Sequence, residues 1–383
     1  MLYVADWGFH YKSQYQSEFL QNLMLLVNRW RLPLLFFISG VASRYLLQKY
    51  SLIHFAKART WRLLLPLLFG VLVIVPPLLY VEMTAKGDLN IGYWDFYRAF
   101  FDLDNSLFAN YQSGILPHID VNHLWYLREL WCFSLLLLVI HPFLTLLKVD
   151  KLLDYVGYRF GFGAIVFLPV ICLSVAAIWL FPESDEGIRI ARGFCFFLLG
   201  YLVWQRESWW QPILKYRRLY LSLSLISYVG LLCYYHLFWL TRTEPLVGVY
   251  AGLETFLFIT NRWVWVLAIL GYSYAYLNRP SSSLSYFAQA VYPSYLFHQS
   301  VLIVAAFLLT PLMLGAFVEG FWVIAITISF CLVSYELLKR INIIRPLVGI
   351  SSEIPEAEYS LLNKMFRLIG WVLIVALGYL IIF

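Results

Sequence analysis

The sequence has few charged residues and no segment polar enough to form a soluble domain. Asp, Glu, Lys and Arg make up only 13% of its 383 residues, whereas a soluble domain usually carries about 25%. The sequence consists instead largely of long, unbroken apolar runs, without the alternation of apolar and polar residues that is typical of barrel strands. With 62% hydrophobic residues and a mean hydropathy of +0.73, the sequence predicts an all-α, polytopic transmembrane helix bundle.

Cysteine is also scarce. The five cysteines lie in apolar segments without a CxxC pair, so we expect small buried hydrophobes, and neither a disulfide framework nor a metal site.

The first 18 residues are polar and aromatic and are unlike a cleavable signal peptide. The net charge of +6 is spread over loops between apolar segments, which argues against a nucleic-acid partner and for the lipid bilayer as the surroundings.

Ten apolar segments are each long enough to cross about 30 Å of hydrocarbon. They are residues 20–43, 62–81, 124–147, 160–181, 190–205, 218–240, 252–277, 287–309, 317–338 and 366–383.

The charges between these segments alternate in sign. Segment 44–61 holds four basic residues and no acid, whereas 82–123 holds six acids against two basic residues. By the positive-inside rule, 44–61 and the basic segment 206–217 face the cytoplasm, and 82–123 lies outside. This topology leaves the N-terminus outside, so we expect an inward-to-outward helix before Met1.

Two arginines lie inside the first apolar segment. Arg29 and Arg31 would sit at mid-bilayer depth, where a guanidinium costs several kcal/mol and marks a functional site by default. Pro33 frees the carbonyl of Arg29, since it has no N–H to donate. The alternative interpretation is that both arginines extend to a headgroup region or make a structural hydrogen bond.

A shared depth links these arginines to two other helices. Arg29 and Arg31 lie about ten residues, or about 15 Å, into the first span, and Arg262 reaches a similar depth in the seventh. His298 lies about as deep in the eighth span. We therefore predict that these four residues belong to one functional site, in which His298 is a general acid or base. The alternative for His298 is a structural hydrogen bond to the helix backbone or to Tyr295.

Two motifs lie at the ends of spans. Arg59 and Arg62 share a helix face at i, i+3 spacing, which suits a phosphate-bearing donor, although an ordinary cytoplasmic anchor has the same pattern. His123 and Arg128 open the third span at its outer end, where they either contact a substrate, together with Tyr295, or serve as interfacial anchors.

The order of these motifs resembles that of the membrane-bound acyltransferase family 3, and its glucans biosynthesis protein C-like branch is the most similar. The runs that carry the resemblance are Asn28–Gly40, Arg59–Pro66, His123–Arg128, Tyr292–Gln299, Tyr335–Arg340 and Arg345–Leu347.

The resemblance implies an integral-membrane O-acyltransferase of the bacterial inner membrane. Such a protein moves an acyl group, acetyl or succinyl, from a cytoplasmic CoA thioester to a cell-envelope carbohydrate, here a periplasmic glucan. Arg59 and Arg62 would handle the acyl-CoA donor, and the three arginines that share a depth would stabilise the oxyanion of its thioester. The donor is a substrate, so no bound cofactor is expected. The resemblance covers about residues 1–350, and 351–383 is predicted to hold a cytoplasmic segment and an additional span.

One departure from the family pattern leaves alternatives open. The family's first helix carries an Arg and a His that serves as the base, and this sequence begins with residues that resemble those just after it. We therefore expect weak or no turnover of the chain as it stands. A transporter or flippase for an anionic or lipid-linked solute is the alternative function, and an inactive paralogue is another. The sequence shows no paired repeat of the kind that many transporters have, which favours the enzyme.

Overall fold

The computed structural model describes residues 2–4, 8–112, 116–177, 185–244, 246 and 248–350. The described residues form thirteen α-helices and no extended strand. The helices are α1 (Glu18–Lys49), α2 (Leu52–Phe69), α3 (Val75–Lys86), α4 (Tyr93–Ala99), α5 (Trp125–Leu146), α6 (Val149–Phe160), α7 (Phe162–Val175), α8 (Asp185–Val203), α9 (Glu207–Lys215), α10 (Arg217–Tyr234), α11 (Gly248–Tyr276), α12 (Ser282–Leu309) and α13 (Ala316–Leu338).

The polytopic helix bundle predicted from the composition is confirmed. Seven helices of the described residues are long and apolar enough to cross a membrane, and α8 with α9 makes an eighth if that bent pair is one span. They coincide with eight of the ten predicted segments. The predicted span 160–181 corresponds to the shorter helix α7, and the predicted span 366–383 lies outside the described residues.

Two predicted cytoplasmic loops are largely helical. α1 continues to Lys49 and α2 begins at Leu52, so the basic residues of 44–61 lie on helices and not in a loop. The segment 206–217 likewise contains α9. Long basic side chains reach the headgroup region while the backbone stays hydrogen-bonded in a helix, so a positive cluster does not require a loop.

The bend between α8 and α9 is held by ion pairs. The two helices meet at 106°, and Gln205 at the bend has φ of +57°. Arg206 pairs there with Asp150, and its Nη1 lies 2.9 Å from an oxygen of Asp154, both on α6. Arg44 of α1 also contacts Asp150 at 2.9 Å, so α1, α6 and the bend are fixed together.

The chain divides into two compact units. The first comprises 2–18, 58–131 and the described part of 281–383, and the second comprises 19–57 and 132–280. In the first unit the N-terminal segment lies against α13, where the Ser13 hydroxyl donates to the buried Glu319 carboxylate at 2.6 Å.

A π-helical segment joins α2 to α3 in the first unit. Residues 70–74 precede Pro76 and Pro77, so the Leu72 carbonyl has no backbone donor in either α or π register. The Tyr97 hydroxyl supplies that hydrogen bond at 3.0 Å. The segment is further fixed by Ser300 of α12, whose hydroxyl donates to the Ile74 carbonyl at 2.7 Å.

In the second unit α1 and α8 cross in backbone contact. A Cβ on Gly40 would lie 1.8 Å from the Phe197 carbonyl oxygen, and one on Gly200 would lie 1.9 Å from the Phe37 carbonyl oxygen. Small residues let membrane helices approach this closely, so that dispersion contacts between backbones hold them together.

We predict that Gly200→Ala destabilises the protein by about 3 kcal/mol, because the added methyl meets a backbone atom that cannot move without separating the helices. Gly230→Ala is the matched control, since a Cβ there has nothing within 4 Å and alanine favours a helix by roughly 0.5–1 kcal/mol. Melting of both variants in detergent checks this. Equal melting temperatures would contradict the backbone contact.

Candidate active site

His123 lies where α5 begins. It belongs to the 3₁₀ turn Asn122–Leu124, and its backbone N–H donates to the Asn122 side-chain oxygen at 2.7 Å. The adjacent Leu124 packs on the π-helical segment, since a Cβ on Gly70 would lie 2.3 Å from its side chain. His123 is only 7% exposed, so this packing fixes a buried imidazole.

His123 and His298 lie close together, joined through α12. The His123 Nε2 is 2.9 Å from the Leu296 carbonyl oxygen, and the Tyr295 hydroxyl donates to the His123 carbonyl at 2.7 Å. The His298 Nδ1 is 2.7 Å from the Tyr295 carbonyl oxygen. The two imidazole rings are perpendicular, with centroids 5.8 Å apart.

These contacts determine the tautomer of each histidine. A carbonyl oxygen only accepts, so His123 carries its proton on Nε2 and His298 carries its proton on Nδ1. The lone pair of His123 is then on Nδ1, which is buried and has no hydrogen-bond partner among the described residues. The lone pair of His298 is on Nε2. In the neutral state, each ring therefore has its basic nitrogen opposite the nitrogen that binds the α12 carbonyl.

The two arginines of α2 lie beside α12 in the same unit. Arg59 is buried, whereas Arg62 lines a pocket of about 510 Å³ together with Trp61, Leu65 and the turn that holds Pro346, Gly349 and Ile350. The Tyr292 hydroxyl donates to the Arg62 carbonyl at 2.7 Å. A basic side chain is thus held at a pocket large enough for part of a small molecule.

Tyrosines connect this pocket with the histidines. The Tyr126 ring centroid is 5.9 Å from that of Tyr295, which in turn lies 5.8 Å from that of His298. From Tyr292 to His298 the helix rises about 9 Å. The pocket and the histidine pair therefore belong to one continuous arrangement within the first unit.

A histidine–carboxylate contact also lies in this unit. The His10 Nδ1 is 2.5 Å from a Glu82 carboxylate oxygen, and Lys86 contacts the other oxygen at 2.6 Å. In the sequence, His10 and Glu82 stand in segments predicted to be outside.

The structure divides the predicted midplane cluster between the two units. His298 belongs to the first unit, with Arg59, Arg62, His123, Arg128 and Tyr295, whereas Arg29, Arg31 and Arg262 belong to the second. Arg29 lies over the Phe258 ring at 4.7 Å. Arg31 is exposed and donates to the Asn28 side chain at 3.1 Å.

Comparison with known families identifies the chain. Residues 2–336 match the family described as an acyltransferase domain, acyltransferase 3. The chain belongs to this acyltransferase family. No curated protein and no solved structure matches the chain significantly. Together with its apolar helices, membership of this family makes the chain a multi-pass membrane acyltransferase.

Sequence reasoning missed three residues of this part of the acyltransferase, of which Gly349 lines the pocket. They are Tyr126, Tyr292 and Gly349. Tyr292 and Tyr126 stand inside the motifs that carry the family resemblance, which was an available signal. Gly349 gave none, because its role comes from packing: a Cβ on it would lie 2.2 Å from the Tyr292 ring.

We predict that Gly349→Ala destabilises the acyltransferase more than Gly87→Ala. Both glycines have the left-handed backbone, with φ of +72° and +80°, which costs alanine about 1–2 kcal/mol. Only Gly349 also meets an aromatic ring, which adds about 1–3 kcal/mol of overpacking. Melting in detergent measures the difference.

The ring contact is tested by a double-mutant cycle. In a Tyr292→Ala background the additional cost of Gly349→Ala is expected to disappear, because the colliding atoms are gone. If the cost persists in that background, the contact with Tyr292 is not its cause.

Proposed function

We propose that this membrane acyltransferase moves an acyl group from a cytoplasmic CoA thioester to a hydroxyl of a cell-envelope carbohydrate. The observation that supports the proposal best is that the pocket beside Arg62 and the pair His123 and His298 lie in the same unit. Resemblance to the glucans biosynthesis protein C-like branch favours a periplasmic glucan as acceptor, acetyl or succinyl as the acyl group, and the bacterial inner membrane as location.

The pocket beside Arg62 suits the nucleotide end of the donor. Guanidinium groups bind phosphates in bidentate fashion, and Arg59 lies one turn from Arg62 on α2. Trp61 also lines the pocket and is 69% exposed, so its ring is accessible to stack on a base. The thioester of a donor bound here extends along α12 towards His298.

His298 serves as the general base in this proposal. Its Nε2 takes the proton of the acceptor hydroxyl while the hydroxyl oxygen attacks the thioester carbon. The new C–O bond forms, the C–S bond breaks, and the CoA thiolate leaves and takes up the proton. His123 and Tyr295 position His298 through the carbonyl contacts of α12, and Arg128 is assigned to binding of the acceptor.

The tetrahedral oxyanion of this step requires donors about 3 Å from the developing charge. Arg29, Arg31 and Arg262 were predicted for this role because they share a depth in the membrane and the chemistry that the family resemblance implies needs such donors. These three arginines belong to the second unit. Their role stays a prediction, which rates of acyl transfer by their variants under single-turnover conditions can test.

We predict that Arg62→Ala or Arg59→Ala raises the apparent KM for acyl-CoA more than that for the acceptor. Each charge-assisted bond to a phosphate is worth roughly 1.5–3 kcal/mol, which corresponds to about 10- to 150-fold. Acyl transfer in inverted membrane vesicles, measured across donor concentrations, gives both constants. Lys57→Ala is the control, since Lys57 is exposed on the same helix and outside the pocket.

An unchanged KM for the donor in both arginine variants would show that Arg59 and Arg62 of α2 do not bind the donor. The pocket beside Trp61 would then serve another ligand.

We predict that His298→Gln lowers kcat by about 10²- to 10⁴-fold, the usual contribution of a positioned base, and leaves the donor KM within about twofold. His54→Gln is the control, because His54 is exposed and stacks on Tyr50. Acylated glycan is measured after equal membrane abundance is confirmed. Full activity of His298→Gln would transfer the role of base to another residue, with His123→Gln and His10→Gln the next variants.

A further inference from the structure

The second unit contains a cavity of about 600 Å³ at the bend between α8 and α9. Residues of α1, α9, α11 and the bend itself line this cavity. Because α8 and α9 meet at 106°, α9 runs across the end of α8 and does not continue its axis. A volume of this size is typical of sites for small ligands, and the proposed acyl transfer makes no use of it.

Tight packing of α9 on α11 fixes one wall of the cavity. A Cβ on Gly271 would lie 2.8 Å from the Ile213 carbonyl oxygen, so the backbones of the two helices are in contact. The Trp210 ring of α9 stacks on the Tyr274 ring of α11, with centroids 5.4 Å apart. The Trp210 Nε1 also donates to the Val203 carbonyl at 3.2 Å, which holds the indole at the end of α8.

The lining changes from apolar to polar towards the end of α11. Leu270 and Tyr274 share one face of this helix at i, i+4 spacing, and Asn278 follows shortly after the helix ends at Tyr276. α11 is a membrane-spanning helix of 29 residues. It is therefore about 43 Å long, and its ends reach the headgroup region on both sides of the hydrocarbon. The polar side of the cavity lies at the level of the lipid headgroups.

The apolar side of the cavity is open to the hydrocarbon. Ile38 and Val41 of α1 line this side, with Leu214 and Leu270. Ile38 is 50% exposed on a membrane-spanning helix, so acyl chains of the bilayer can reach the cavity. A small polar solute would leave these aliphatic side chains uncovered, whereas a lipid covers both the apolar and the polar side.

The polar side carries a negative charge. Among the described residues that line the cavity, Glu207 is the only charged one, and it is exposed. Gln205 and Asn278 add amide oxygens, which accept hydrogen bonds. The faces of the Trp210 and Tyr274 rings attract cations. This combination of a carboxylate, amide oxygens and aromatic rings favours a cationic group.

The charge of Glu207 is not neutralised by the neighbouring arginine. Arg206 precedes it in the sequence, but the Arg206 guanidinium pairs with Asp150 and Asp154 of α6. Within the described ranges, Glu207 accepts a hydrogen bond from the neutral Gln211 amide at 3.2 Å and forms no ion pair. Its carboxylate is therefore available to a cation from outside the chain.

We propose that this cavity binds a phospholipid of the phosphatidylethanolamine class, whose headgroup ends in a primary ammonium. The ammonium has three N–H groups, so it pairs with the Glu207 carboxylate and donates to the amide oxygens of Gln205 and Asn278. The first carbons of the acyl chains lie against Ile38 and Leu270. A choline headgroup has no N–H to donate and binds more weakly.

The first test is melting of the purified protein in mixed micelles, in which phosphatidylethanolamine replaces phosphatidylcholine in steps at constant total lipid. A saturable rise in melting temperature is expected, because the lipid binds the folded state. Glu207→Gln keeps the shape of the side chain and removes its charge. It is expected to raise the half-saturating fraction of phosphatidylethanolamine at least about tenfold, since a charge-assisted hydrogen bond is lost. Glu244→Gln is the matched control, because Glu244 is exposed in the same unit and lies outside the cavity.

A second variant replaces Glu207→Gln if that variant does not fold. Asn278→Leu removes an amide oxygen at an exposed position beyond the end of α11. It is expected to weaken the response to phosphatidylethanolamine by about 2- to 10-fold, the usual effect of losing a neutral hydrogen bond. Its melting temperature in pure phosphatidylcholine is expected to equal that of the unmodified protein.

Two other ligands are titrated in the same way. A rise in melting temperature with phosphatidylglycerol and none with phosphatidylethanolamine would identify an anionic headgroup and overturn the proposal. A rise with soluble phosphoethanolamine as large as that with the lipid would show that the apolar side is not used, which also contradicts a lipid site.

Two further results would overturn the proposal. One is an equal response to phosphatidylethanolamine in the unmodified protein, Glu207→Gln and Asn278→Leu, which would locate the bound lipid elsewhere. The other is a melting temperature that does not change as phosphatidylethanolamine replaces phosphatidylcholine. Binding is measured without acyl transfer, so either result leaves the proposed function standing.

Discussion

Hydrocarbon offers no hydrogen bonds, so each backbone amide and carbonyl inside the bilayer must find its partner within the protein. The described helices follow from this constraint, and so do their irregularities. Where Pro76 and Pro77 leave the Leu72 carbonyl without a backbone donor, the Tyr97 hydroxyl supplies one. In α12, carbonyls of Tyr295 and Leu296 have a second use, since they hold the imidazoles of His298 and His123.

Hydropathy predicted most of the fold because it measures the same constraint along the chain. The boundaries were less accurate: 44–61 was assigned as a loop from its basic residues, and the structure shows α1 and α2 running through most of it. A side chain such as Lys49 can reach water while its backbone remains helical. A run of basic residues therefore does not predict where a helix ends.

The candidate site was predicted only in part, because sequence gives depth along a helix and says little about which helices touch. Depth associated His298 with Arg29, Arg31 and Arg262, which belong to another unit. His123 was assigned to the outer end of its span, yet its ring lies 5.8 Å from that of His298. The pairing depends on the packing of Leu124 against Gly70, a contact between residues 54 positions apart that no local pattern reveals.

The glycine crossing of α1 and α8 has a mechanical consequence. α1 is continuous from Glu18 to Lys49, and it meets α8 at two points one turn apart, Phe37 against Gly200 and Gly40 against Phe197. Two such contacts resist both sliding and tilting of α1 on α8, because either movement drives a carbonyl oxygen out of a space that only a glycine leaves open. The crossing therefore fixes the axial position of α1, and with it the depth of Arg44, about 6 Å along the helix on one side, and of Arg29, about 16 Å along it on the other.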